Sequence, residues 1–153
     1  MIVKLKIARM SKMAWQRVKI ELPEGLGPSE RESIGLDIIS FIQERSIQGI
    51  GFNPETGRNK RFPNYTKEYA RFKGADISDV DLILSGDMFN AMQVLSNRPR
   101  QIVIGFENGT KENDKAEGNQ LGSYGKEPDP KKARPFLGLT KKDLEAILEN
   151  YGD

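Results

Sequence analysis

The chain has 153 residues, with 24 Lys and Arg, 22 Asp and Glu, and neither His nor Cys. This length predicts one domain over residues 1–153. The missing His and Cys exclude disulfides, thiolate or imidazole zinc sites, cysteine nucleophiles and Ser-His-Asp triads. No apolar run reaches the length of a secretion signal or a membrane span, so we expect synthesis in a cytosol and no membrane partner.

The net charge of +2 hides four blocks of alternating sign. Residues 1–19 carry +6, residues 20–57 carry −5, residues 58–73 carry +5 and residues 74–153 carry −4. Such blocks can produce one basic and one acidic face, which suits head-to-tail self-association or a nearby polyanion. The alternative is that exposed charge only follows the solvated segments.

The chain begins with two predicted strands. Apolar and polar residues alternate over 2–8 and again over 15–22, which is the period of a strand with one buried face. The two strands are predicted to pair as a hairpin around a turn at Met10–Met13.

A long helix is predicted over residues 29–47. Ser29 and Glu32 form a capping-box pattern at its start, and Gly49 supplies a stop. The apolar residues that recur at helical spacing between them are Ile34, Ile38, Phe41 and Ile42.

Residues 50–80 contain no long periodic segment and are predicted to form an extended arm or loop. Thr66 is expected to cap a short helix through Lys73. Because aromatic side chains are costly to leave in water, Phe52, Phe62 and Tyr65 are expected to pack on this domain or on another subunit.

A second hairpin follows, with a turn at Asn97–Arg100 between strands that begin near Met92 and Gln101. The polar stretch 107–133 predicts a second arm, with a helical turn at Lys111–Glu117. Both arms are expected to be ordered by neighbouring subunits.

Thr140, with Asp143 three residues later, is predicted to cap a final helix. The buried stripe of that helix is expected to contain Leu144, Ile147, Leu148 and Tyr151. The whole pattern predicts an α+β fold. A small antiparallel sheet of two hairpins packs against one long helix and a C-terminal helix, and two long extensions leave this core.

No motif for catalysis or cofactor binding emerges from the residues. The densest acidic cluster, Asp76, Asp79, Asp81 and Asp87, lacks the spacing of a calcium loop. Gly51 and Gly57 have five residues between them and Arg58 after them, which does not fit a phosphate-binding P-loop. We therefore expect no enzyme, no metal and no cofactor.

Residues 58–73 form the strongest candidate for contact with nucleic acid. Phosphates pair with cations and bases stack on aromatic rings, and this segment alternates both kinds of side chain. The cations are Arg58, Lys60, Arg61, Lys67, Arg71 and Lys73, and the aromatic residues are Phe62, Tyr65, Tyr69 and Phe72. The alternative, which we favour, is an interface arm with basic residues at its rim.

Five short phrases follow one another in the second half of the chain. They are Phe62–Ala70, Asp81–Met88, Ile102–Phe106, Lys115–Gly118 and Arg134–Thr140. Their order over roughly residues 50–150 resembles the virion-morphogenesis and tail-completion proteins of tailed phages, and more broadly small neck and head–tail joining proteins. That family commonly has a His and a Tyr-Ala pair before the Arg-Pro-Phe ending, where this chain has Asp114–Gln120.

The resemblance implies a non-enzymatic virion protein that forms a ring, often a hexamer, in the neck or at the tail end. Such a ring completes or terminates the tail and joins it to the head. The implied partners are further copies of the chain, a portal, connector or head-completion protein, a tail tube or sheath protein, and packaged DNA passing through the lumen. The implied location is the virion, with the host cytoplasm during assembly.

The candidate residues for this role fall into two sets. The DNA- or lumen-facing candidates are Lys60, Arg61, Lys67, Arg71 and Lys73. The subunit-interface candidates are Phe62, Tyr65, Tyr69, Arg134 and Phe136. The alternative function is a stand-alone nucleic-acid-binding module that uses the basic-aromatic segment 58–73.

Overall fold

Six strands and four helices make up the regular part of the chain that the structure, a computed structural model, describes. The described residues are 9–14, 16–64, 67–74, 88, 90–123, 127–128 and 132–151. In chain order the elements are β1 (Arg9–Ala14), β2 (Arg17–Glu21), α1 (Pro28–Ile47), β3 (Ile50–Asn53), β4 (Arg58–Arg61), α2 (Lys67–Lys73), β5 (Gln93–Arg98), β6 (Gln101–Gly105), α3 (Lys111–Leu121) and α4 (Lys141–Leu148). This is the predicted α+β class.

The larger sheet has four antiparallel strands in the order β1-β2-β6-β5. Its centre is the β2–β6 ladder, in which Val18 pairs with Ile104 and Ile20 with Ile102. These four side chains are at most 1% exposed. Because alternate residues of a strand share one face, the ladder presents a continuous apolar surface to the rest of the domain.

Helix α1 provides the apolar stripe that packs with this surface in one core. Ile34, Ile38 and Ile42 are fully buried, and burying a side chain of this size contributes about 1.5–3 kcal/mol. Gly35 lets the helix approach the sheet closely, since a Cβ there would lie 2.5 Å from Cγ2 of Val94. The prediction of a long amphipathic helix is confirmed.

The start of α1 differs from the prediction. Gly27, not Ser29, is the N-cap, and the Glu30 carboxylate accepts a hydrogen bond from the Gly27 amide at 3.2 Å. Pro28 then occupies the first turn, where its fixed φ suits the helix and its missing N–H costs nothing. The end is as predicted, because Gly49 follows the last turn with φ +83°.

The first hairpin turns later than predicted. β1 runs through Met10–Met13, and the chain reverses between Ala14 and Arg17, which are paired across the two strands. The predicted turn at Met10–Met13 is therefore wrong, because pairing with β2 satisfies its backbone and Met10 packs against the core. The predicted strand 2–8 lies outside the described residues.

A hairpin that the sequence did not predict occupies part of the 50–80 segment. β3 and β4 pair antiparallel from Ile50–Arg61 to Asn53–Arg58. Gly57, at φ +71°, lies in the connecting turn and donates its amide to the Asn53 carbonyl at 2.9 Å. The prediction missed β4 because all four of its residues are exposed, so it has no apolar alternation.

The second predicted hairpin is confirmed as β5 and β6. In the predicted arm 107–133, residues 111–121 instead form a full helix, α3. The Thr110 hydroxyl caps this helix by accepting a hydrogen bond from the Asn113 amide at 3.1 Å. Its Ala116, Asn119 and Gln120 are buried, so this part of the stretch packs within the domain.

The predicted C-terminal helix is confirmed as α4. The Thr140 hydroxyl accepts a hydrogen bond from the Asp143 amide at 3.1 Å. Leu144 and Leu148 are buried, and Ile147 and Tyr151 pack against the core at partial exposure, as expected for the stripe.

Candidate functional site

The phrase Arg134–Leu139, called the closing segment below, runs through the interior of the domain. Phe136, Leu137 and Leu139 are at most 4% exposed. The ring of Phe136 meets that of Phe106 edge to face, with centroids 6.1 Å apart. The closing segment therefore belongs to the core and does not form an exposed loop.

Side chains and backbone from three elements form hydrogen bonds with backbone groups of the closing segment. Gln120 Oε1 accepts hydrogen bonds from the amides of Phe136 at 2.7 Å and Leu137 at 3.1 Å. The Pro135 carbonyl accepts from the Phe52 amide at 2.9 Å. Such partners are needed because a buried backbone group without one costs about 1–3 kcal/mol.

Arg45 provides two more partners from α1. Its Nη1 donates to the Gly138 carbonyl at 2.7 Å and its Nη2 to the Phe136 carbonyl at 2.5 Å. Only 6% of the residue is exposed, and this burial lowers the pKa of the guanidinium to about 10, while the Asp143 carboxylate acts in the opposite direction. Arg45 is thus a cation at neutral pH, and its rigid fork suits two carbonyls at once.

Two glycines allow the closing segment to pass this closely. A Cβ on Gly138 would lie 2.5 Å from Cδ2 of Phe52, and one on Gly51 would overlap the Pro135 carbonyl. Larger side chains at either position would push β3 away from the closing segment.

Arg31 forms a similar contact at the other end of α1. Its Nε donates to Asn97 Oδ1 at 2.7 Å and its Nη1 to the Leu26 carbonyl at 2.7 Å, which fixes the helix start against β5. Neither Arg31 nor Arg45 was singled out from the sequence. The available signal was their spacing, since each lies three residues beyond the buried stripe Ile34–Ile42, on the same helix face.

At the C-terminus, the Tyr151 hydroxyl donates a hydrogen bond to the Asp37 carboxylate of α1. Burial raises the pKa of Tyr151 to about 12, and the hydrogen bond and the negative charge of Asp37 act in the same direction. This contact joins the end of the chain to the long helix.

The predicted interface aromatics occupy different environments. Phe62 is 6% exposed and Phe136 is fully buried, and both belong to the chain's own core. Their assignment to a subunit interface stays a prediction. Tyr65 and the side chain of Tyr69 lie outside the described residues. Arg134 is half-buried, and its amide donates a hydrogen bond to the Asn119 carbonyl at 2.6 Å.

The predicted DNA-facing residues lie on β4 and α2. We use the name basic surface for the exposed cations of these two elements, which are Arg58, Lys60, Arg61, Lys67 and Arg71. Four of them were among the predicted DNA-facing residues, and Arg58 was predicted only as part of the segment. The side chain of Lys73 lies outside the described residues.

β4 lies at the outer edge of the domain. On one side of β3 the Phe52 amide bonds to Pro135, and on the other side β3 pairs with β4. The order is therefore closing segment, β3, β4 and then solvent, as far as the described chain extends. α2 is anchored by Ala70, which is 4% exposed, whereas Phe72 on the same helix is 84% exposed.

Within the described part of the chain, no group of His, Cys, Asp and Glu is arranged to hold a metal ion. None of the described helices combines the length and apolarity needed to cross a bilayer. Comparison of the chain with protein-family models, curated proteins and solved structures finds no match.

Proposed function

We propose that the chain is a structural virion protein of a tailed phage, which forms a ring in the neck or at the tail end, completes the tail and joins it to the head. The observation that carries this proposal is the position of the closing segment. The last phrase of the resemblance, Arg134–Thr140, is the place where α1, α3 and β3 meet. Arg45 and the Phe52 amide donate hydrogen bonds to its carbonyls, and Gln120 Oε1 accepts one from the Phe136 amide.

This position is relevant because a sequence motif that packs in the core is tied to the fold that surrounds it. Phe136 is fully buried, and Gly138 packs against the ring of Phe52. The carbonyl of Gly138 accepts a hydrogen bond from the buried guanidinium of Arg45. A chain that shares the phrase needs the same surroundings for it. The resemblance therefore includes residues of the domain core. This supports the proposal that the chain shares the structural role of that family.

Charge distribution supports assembly into a ring. Ring contacts are heterologous, so one surface of a subunit meets a different surface of the next copy. The basic surface includes the exposed edge strand β4, and the remainder of the chain carries excess negative charge. Opposite charges can then meet around the ring, and the ends of the ring remain for a portal, connector or head-completion protein and for a tail tube or sheath protein.

The test is the mass and shape of the purified full chain. We expect closed rings, most simply hexamers, in negative-stain images and by sedimentation, either alone or on addition of heads or tails from the virus that encodes it. An unrelated basic protein of similar mass is the control for non-specific adsorption. A chain that stays monomeric at every concentration and binds neither heads nor tails would refute the proposal.

Salt provides a second measurement on the same sample. If opposite charges hold the subunits together, rings that form at low salt should dissociate as ionic strength approaches about 1 M, where the screening length is about 3 Å. Gene order is an independent check, because genes for a portal, capsid or tail tube are expected beside the gene for this chain.

A further inference from the structure

We propose that the basic surface is a binding site for the phosphate backbone of DNA, used without sequence preference. The proposal does not rest on the virion role, since it follows from the charge and exposure of β4 and α2 and from the edge position of β4. Its residues are Arg58, Lys60, Arg61, Lys67 and Arg71, with Phe72 beside them on α2.

Among the described residues, no contact made by the side chains of these cations accounts for their positions. Elsewhere Arg31 and Arg45 are buried and donate to acceptors, and Arg100 pairs with Glu24 at 3.1 Å. In the described part of the chain, by contrast, none of the five cations of the basic surface has an ion pair or a side-chain hydrogen bond. Between residues 58 and 71 the one acid is Glu68, so the local field is strongly positive.

The geometry of β4 suits a regular line of phosphates. Arg58 and Lys60 lie on the same face of the strand, about 6.8 Å apart at roughly 3.4 Å per residue, so they present two cations in a row to a phosphate backbone. Since the Phe52 amide points away from β4, the Phe52–Asn59 pair is of the non-hydrogen-bonded kind. The Asn59 amide therefore points to the outer edge, where it can donate to a phosphate oxygen.

Helix α2 adds an aromatic ring to the cations. Lys67 and Arg71 are one turn apart on the helix, and Phe72 follows Arg71 with 84% of its surface exposed. An exposed ring on the same helix as these cations can stack on an unpaired base, which would strengthen binding to single strands. Because Phe62 is buried, Phe72 is the exposed aromatic side chain among the described residues of this segment.

An acidic protein strand is the competing occupant of the β4 edge, and the observations favour DNA. Strand addition gains affinity from main-chain bonds and specificity from side-chain pockets. β4 is four residues long, and all four residues are exposed, so an added strand would bury little apolar area. Phosphates need only the cations and N–H groups that are present.

Fluorescence anisotropy of the full chain with a labelled short duplex tests the proposal. If all five cations contact phosphates, the slope of log K against log salt should approach about −4.5, so that binding weakens about 500-fold between 50 and 200 mM salt. An R58A/K60A/R61A variant should reduce the magnitude of the slope by about 2.7. Phe72→Ala should weaken binding of a single strand about fivefold or more and leave duplex binding nearly unchanged.

The matched control is K111A/K115A/K142A, which removes the same amount of charge from exposed positions on α3 and α4. It should retain the slope and the affinity of the unmodified chain. No duplex binding at about 50 mM salt, or equal losses in the two triple variants, would overturn the proposal. A polyglutamate peptide that binds as tightly as DNA of equal charge would also overturn it, in favour of an acidic protein partner. Unchanged circular dichroism and melting temperature in each variant establish that the fold is intact.

Discussion

Replacing Arg45 should destabilise the domain more than replacing any exposed arginine. In Arg45→Ala, the carbonyls of Phe136 and Gly138 lose charge-assisted hydrogen bonds of 2.5 and 2.7 Å in a site that water cannot easily enter. Asp143, whose buried Oδ2 has no hydrogen-bond partner among the described residues, also loses a nearby positive charge. Removing one partner from a buried charged contact of this kind costs about 3–5 kcal/mol.

This loss is large for a domain of ordinary stability, about 5–15 kcal/mol. The free energy of unfolding, measured by urea denaturation followed by circular dichroism, should fall by that amount, and the melting temperature by about 6–20 °C. Arg98→Ala, at an exposed position, is the control and should change stability by at most about 0.5 kcal/mol.

Arg45→Lys separates charge from geometry. An ammonium group on a flexible stem cannot match the planar fork that reaches both carbonyls, so the lysine variant should recover only part of the stability. A loss below about 1 kcal/mol in Arg45→Ala would refute the reasoning, because it would mean that desolvation of the guanidinium already cancels both hydrogen bonds.

Three further predictions concern the same interior and its edge. Gln120→Leu should lower the free energy of unfolding by about 2–5 kcal/mol in urea denaturation, because two buried amides lose their acceptor. Gln120→Glu keeps an oxygen there and should cost less. Equal losses in the two variants would contradict the role of Gln120 as the acceptor. Gly138→Ala should lower the free energy of unfolding by about 1–3 kcal/mol through overpacking against Phe52. In the double variant with Phe52→Leu, the loss should be smaller than the sum of the two single losses. Strict additivity would argue against the clash. Tyr151 has its pKa raised to about 12, so the folded chain keeps a proton that the unfolded chain loses near its ordinary value of 10, and this contribution to stability should fall as pH rises from about 10 to about 12. Thermal melts should show this extra fall in the unmodified chain and not in Tyr151→Phe; identical pH profiles would remove Asp37 as its partner.

Local patterns were sufficient to predict the elements that bury one face. Helix α1 followed from isoleucines at helical spacing, and β2 and β6 followed from alternation whose apolar residues share a buried face. The caps at Gly49 and Thr140 followed from local backbone chemistry. These predictions succeeded because each depends on residues within a few positions of one another.

Contacts between distant segments decided the features that the sequence analysis missed. β4 has no buried face, so its strand conformation depends on pairing with β3, which in turn bonds to Pro135 far along the chain. The buried roles of Arg45 and Gln120 also depend on where the closing segment passes. The hydrogen-bond partners of such a polar side chain are decided by the tertiary structure, because they come from segments far away in the sequence.

Composition and periodicity were enough to predict the α+β class, the long helix, the absence of His and Cys chemistry, and the concentration of positive charge in residues 58–73. How that segment divides between core and solvent depends on contacts with distant elements. Phe62 and Ala70 turn into the core, whereas the five cations and Phe72 remain exposed. The physical reason is that composition establishes which groups must be solvated or buried on average. Which aromatic ring finds an apolar neighbour, and which remains beside the cations, depends on packing between α1, β3 and the closing segment.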